Sequence, residues 1–160
     1  MKTINGDLIK LAFQGKFDII IHGCNCHNIM NGGIAKQIKE ICPEAFEADS
    51  KSKVGDHNKL GRLTLAQISR ENHTFIIINA YTQFDTYTAL DNTGRLVNYG
   101  AVRKAFKTIS KIVHDSRSSN LKIGYPMIGA GLAGGDWNII SKIIDEELNG
   151  LNHTLVIWNG

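Results

Sequence analysis

Two hydrophobic patterns take turns along this chain: short unbroken apolar runs, and apolar positions spaced three or four residues apart. The first predicts strands buried on both faces, the second amphipathic helices. Phe17–His22 (FDIIIH) is a run of the first kind, bounded by Gly23. Leu63–Ile68, Thr74–Ala80 (TFIIINA), Leu121–Ile128 and Leu155–Trp158 read as further strands, with Thr3 and Ile4 adding an edge strand. Glu71 and Asn72 suit the turn between two of them.

From Gly33 the spacing changes, and Ile34, Ile38 and Ile41 recur at helical intervals among Lys36, Lys39 and Glu40. Pro43 punctuates this helix, and Ala45–Lys51 adds a further helical turn. Tyr99–His114 places Val102, Phe106, Ile109 and Val113 on one face. Trp137–Leu148 follows as a third helix, with Asp136 as its N-cap. Strands alternating with helices predict an α/β chain, a central sheet with helices on both sides. No linker, repeat or biased tract interrupts it, so residues 1–160 read as one domain.

Composition narrows the function classes. A 42% hydrophobic and 21% charged chain of 160 residues is a globular sequence able to bury one core. The net charge of +3, from 18 basic and 15 acidic residues, is scattered, so direct nucleic-acid binding is not expected. No apolar run approaches the ~20 residues of a membrane span, and Met1–Phe13 lacks a signal-peptide core. Three cysteines, Cys24, Cys26 and Cys42, give no disulfide framework, which predicts a reducing, cytoplasmic setting.

Two glycine-rich turns sit between a buried strand and a helix: Gly23–Ala35 and Ile128–Gly135. Consecutive amides in such turns form anion-binding concavities, reinforced by the following helix N-terminus. Two of them at strand ends predict a site for two phosphates. Neither is a Walker loop, since no Gly-Lys-Ser/Thr follows, and Gly129-Ala130-Gly131 lacks the acidic partner of the dinucleotide fingerprint. Cys24-x-Cys26 is too tight for a zinc pair, so no metal and no cofactor is expected. His22 has two readings, a hydrogen-bonded core residue or a proton-transfer group at the loop mouth. Asp7 also has two, a helix cap or an acceptor for an adenine amino group.

Together these pieces resemble the macro domain family. The segments are Gly6-Asp7-Leu8, Asp18–Asn25, Asn31-Gly32-Gly33-Ile34-Ala35, Pro126–Leu132 and Trp137, in the family's order over almost the whole chain. His22-x-Cys24-Asn25-Cys26, the Gly32–Ala35 cluster and Asn98-Tyr99 are most similar to the ADP-ribose 1''-phosphate phosphatase branch. The resemblance implies a three-layer α/β/α sandwich with a central mixed, mostly parallel sheet, and ADP-ribose lying across its crest. By matched position, Asp7 meets adenine with Leu8 beside it, and Asn25 faces the distal ribose. Gly32, Gly33, Ile34 and Ala35 wrap that ribose and one phosphate. Ile128, Gly129, Ala130, Gly131, Leu132 and Ala133 cradle the diphosphate.

Two departures bear on catalysis. One de-ADP-ribosylating branch carries an aspartate where Ala35 stands, and another carries one where Ala133 stands, with a lysine near Ala80 and Tyr81. The phosphatase branch relies on neither. The resemblance therefore implies hydrolysis of ADP-ribose 1''-phosphate, with His22, Asn25 and Asp85 as catalytic candidates, Asp85 lying in the stretch Gln83–Leu90, and His27 as a further acid or base candidate. Its alternatives are an ADP-ribose reader without chemistry and a hydrolase acting on ADP-ribosylated protein. No membrane partner is implied.

Overall fold

A computed structural model of the chain describes residues 1–71, 73–86, 94–118 and 120–159. Asn72 of the expected turn and residues 87–90 of the Gln83–Leu90 stretch lie outside them. The strands are β1 (Lys2–Asn5), β2 (Ile19–Cys24), β3 (Leu63–Arg70), β4 (His73–Tyr81), β5 (Lys122–Tyr125) and β6 (Asn152–Ile157). The helices are α1 (Leu8–Phe13), α2 (Gly33–Ile41), α3 (Pro43–Ser50), α4 (Tyr99–Asp115) and α5 (Trp137–Glu147), with a 3-10 turn at His57–Lys59.

The sheet order is β1-β6-β5-β2-β4-β3, and every neighbouring pair is parallel except β3 with β4. The Ile runs explain the centre. Ile19, Ile20 and Ile21 of β2 are all buried because alternate side chains enter opposite layers. Ile20 packs with Leu8, Ile38 and Ala45 of α1, α2 and α3. Ile19 and Ile21 pack with Val102, Phe106, Ile109 and Ile140 of α4 and α5. The result is a three-layer α/β/α sandwich around a mixed sheet.

Several boundaries differ from expectation, two of them with a plain cause. The strand expected over Leu121–Ile128 stops at Tyr125, because Pro126 has no N–H to extend the ladder. Ile41, expected on the buried face of α2, is 49% exposed, and Cys42 enters the core instead. There α2 ends, and Pro43, at the first position of a separate helix α3, starts a new helical axis.

Candidate functional site

Strand order brings the two glycine-rich turns together. β2 and β5 are adjacent parallel strands, so the loops leaving their carboxyl ends are neighbours although about a hundred residues apart in sequence. After β2 the chain turns to α2 on one face of the sheet, and after β5 it turns to α5 on the other. Adjacent loops that diverge in this way leave a crevice between them. Here it is a cleft of about 430 Å³, lined by Gly23–Asn25, Asn31–Ala35, Pro126–Gly129 and Gly131–Ala133. Ile29, together with Leu96 and with Gln83 and Thr86 after β4, completes it.

The walls are short of internal partners. α1, α4 and α5 are each capped by a side chain, from Asp7, Asn98 and Asp136, but α2 begins at Gly32 with no side-chain cap. Among the described residues, the amides of Gly33, Ile34 and Ala35 donate to nothing, nor do those of Gly131, Leu132 and Ala133. The second loop is nevertheless held in shape by Gly135 N donating to Gly129 O at 2.7 Å and Leu96 N donating to Ala133 O at 2.8 Å. Gly33 and Gly129 adopt φ of +54° and +74°, which explains glycine at both turning points. The Leu132 side chain leans toward Gly32, so the two loops nearly touch above the cleft.

The remaining candidates divide. Asn25 lines the cleft and also organises its own turn, its Nδ2 donating to Ile29 O at 2.8 Å and its Oδ1 accepting from His27 N at 2.9 Å. Asp85 stands beside the lining residue Thr86, with its Oδ1 3.2 Å from His27 Nε2 and about half of its side chain exposed. His22 is fully buried and does not line the cleft; its Nε2 lies 2.6 Å from Asn79 Oδ1. Burial pulls its imidazole down to about 4, against a smaller raising effect of the Asn79 hydrogen bond. The geometry gives His22 the core role and corrects its reading as a proton donor at the loop mouth.

Asp7 caps α1, its Oδ1 accepting from Lys10 N at 3.1 Å, and lies outside the cleft proper. Gly6 N donates to Ile157 O, which puts Asp7 at the same crest end as the exposed Trp158. Leu8, the first residue of α1 next to Asp7, buries its side chain in the α1 layer. Ala130, expected in the diphosphate cradle, does not line the cleft.

The thiols are packing groups: burial pushes Cys26 and Cys42 up to about 11, and Cys24, on the cleft floor, well above the usual thiol range. Among the described residues, no group of three or more His, Cys, Asp and Glu side chains is placed to hold a metal. Outside the two segments it singled out, sequence reasoning missed Gln83, Thr86 and Leu96 of the lining, and Trp158 at the crest. Gln83 and Thr86 carry one usable signal, since they follow the buried strand β4. Leu96 is delivered by the Gln83–Val97 bridge, which nothing local announces.

Comparison with known proteins fits this architecture. The profile of the Macro domain family matches residues 21–144. A 17.5 kDa protein of the tk-vs intergenic region of Enterobacteria phage T4 is 33% identical, over 99% of this chain and 96% of its own length. The ADP-ribose 1''-phosphate phosphatase of Saccharomyces cerevisiae is 24% identical, over 95% of each chain. Among solved structures, a Bacteroides thetaiotaomicron protein superposes with a TM-score of 0.76 at 24% identity, covering 98% of this chain and 96% of that one. Thermosipho africanus DarTG, solved in complex with ADP-ribose, superposes with a TM-score of 0.71 at 15% identity, covering 97% of this chain and 40% of that one. With most of its length matched by the family profile and a switch-point cleft between two glycine loops, this chain belongs to the macro domain family.

Proposed function

We propose that this macro domain binds ADP-ribose across the crest of its sheet and hydrolyses ADP-ribose 1''-phosphate to ADP-ribose and inorganic phosphate. The observation that carries the binding is the convergence of two sets of unpartnered amides, Gly33–Ala35 and Gly131–Ala133, on one cleft. Each set suits one phosphate of a diphosphate. The cleft volume is that of a small-ligand site. Adenine lies toward Asp7 and Trp158, and the distal ribose toward Asn25.

The phosphatase chemistry is supported by the yeast relative and by Ala35 and Ala133, which occupy the positions where other branches place a carboxylate. In this reaction a water oxygen attacks phosphorus, the bond from phosphorus to the ribose oxygen breaks, and the ribose oxygen takes up a proton. Asp85, aimed by His27, moves that proton. Asn25 orients the ribose. His22 moves no proton. A second reading, an ADP-ribose reader without chemistry, is favoured by one observation: among the described residues, no Asp or Glu lines the cleft.

Titration calorimetry with ADP-ribose tests the binding. Asp7→Asn keeps an oxygen for the α1 cap and removes a carboxylate acceptor, so one-to-one binding should weaken about tenfold, the loss expected for one hydrogen bond to a charged group. No heat at millimolar ligand refutes the proposal. Asp85→Asn should lower phosphate release from ADP-ribose 1''-phosphate about 100-fold or more while ADP-ribose still binds. Tight binding without phosphate release identifies the reader, and release of free ADP-ribose from modified protein identifies a protein-directed hydrolase.

A further inference from the structure

Behind the cleft lies a lysine that the reading above does not use. Lys59 ends the 3-10 turn His57–Lys59 and is 93% buried, where lysines are rare unless their charge is compensated. No carboxylate pairs with it within 4 Å among the described residues. Its ammonium instead donates to Cys26 O at 3.3 Å and to Asn28 Oδ1, and it sits 4.7 Å above the Tyr81 ring. Two oxygens and one ring face satisfy its three donor directions.

Both oxygens belong to the turn that carries Asn25. Asn28 has φ +59°, a left-handed conformation that asparagine tolerates but does not prefer. It stays there because its side chain is held at both ends, the Oδ1 by Lys59 and the Nδ2 by Ser52 O at 2.9 Å. Gly55 N donates to Cys26 O at 2.8 Å from the same side. In the same turn, Asn25 accepts from His27 N, donates to Ile29 O and lines the cleft. A buried ammonium is costly to desolvate, and an apolar residue would fill the same space without that cost. What the lysine adds is a rigid, two-point hold on a strained turn.

We propose that Lys59 is a positioning residue of the ligand site: by clamping the Cys26–Asn28 turn from behind, its ammonium sets the aim of Asn25 into the cleft. This rests on the ADP-ribose reading, and two measurements separate the clamp from that reading. The first needs no ligand. Lys59→Met keeps the chain length and loses the donors, so amide hydrogen exchange at residues 26–29 should rise at least tenfold while α4 keeps its protection. Unchanged exchange at this turn overturns the proposal.

The second is a double-mutant cycle read by calorimetry. Lys59→Met should weaken ADP-ribose about tenfold in the wild-type background and less than about twofold when Asn25 is already alanine. An equal loss in both backgrounds shows a general structural defect and refutes a role through Asn25. If Lys59→Met does not fold, Asn28→Gly tests the same clamp from its other end, because glycine accepts φ +59° and removes the Oδ1 acceptor. If the wild type binds no ADP-ribose, the ligand reading fails, and the positioning role falls with it even where the exchange result holds.

Discussion

Three residues at the carboxyl end of the sheet contain an idle proton site, an orphan hydroxyl and a glycine pressed between them and the cleft. His22 is neutral in the folded protein, because burial holds it near 4, whereas an unfolded chain titrates near 6.5. The unfolded state therefore takes up the proton first as pH falls. Stability is complete above about pH 6.5 and is lost progressively down to about pH 4, by about 3 kcal/mol from this group. The lowered imidazole of His153 acts in the same direction, and the raised carboxyl of Asp49 acts in the opposite one. Urea unfolding at pH 7 and pH 4.5 should show a shallower acid loss in His22→Gln than in wild type; equal losses would assign the effect elsewhere. Among the described residues, Thr82 Oγ1 is buried without a hydrogen-bond partner, and a Cβ on Gly23 would stand 2.7 Å from it. Thr82→Val, of the same shape, should be neutral or stabilising by up to about 1 kcal/mol in the urea midpoint. A clear loss of stability would reveal a water bound to that hydroxyl.

At the scale of elements, the two glycine turns are built to different tolerances. A Cβ on Gly33 would meet nothing within 4 Å, so Gly33→Ala adds only the strain of φ +54°, about 1 kcal/mol. A Cβ on Gly129 would stand 2.6 Å from Val97 Cγ2 and 3.1 Å from Ile140 Cδ1 at φ +74°. Gly129→Ala should therefore cost roughly 2–4 kcal/mol, combining strain with overpacking. Differential scanning calorimetry of the two variants checks the ranking, and equal melting temperatures would show that the second loop yields freely. α2 illustrates how an element is only half legible in its own residues. Its helical spacing is plain from Ile34, Ile38 and Ile41, yet only Ile38 reaches the core. Ile34 turns to the cleft and Ile41, the last residue of the helix, to solvent, while the following Cys42 takes the core position.

At the scale of the molecule, a ligand lying across the crest ties together loops from β2, β4 and β5. Binding to the folded state alone stabilises it by about 2.7 kcal/mol when free ligand is 100 times Kd. For a chain of this size that corresponds to a rise in Tm of roughly 5–10 °C. On the proposed pose, ADP should raise Tm less than ADP-ribose at equal free concentration, because it leaves the Asn25 end of the cleft unfilled. Equal shifts for the two would place the whole contact at the adenine and diphosphate end and remove Asn25 from the site.

The sequence by itself determined the elements and the chemistry of the turns. The Ile-rich runs of β2 and β4 read as buried strands, and the glycine clusters after β2 and β5 as turns able to offer free amides. Tertiary structure alone decided which of these meet. That β5 lies beside β2, that α2 and α5 leave on opposite faces, and that Lys59 ends under the Asn25 turn depend on strand order and layer packing. Those are non-local contacts, and local periodicity carries no record of them. For the same reason His22 reads equally well as a core residue or a proton donor until Asn79, from the neighbouring strand, is placed against its ring.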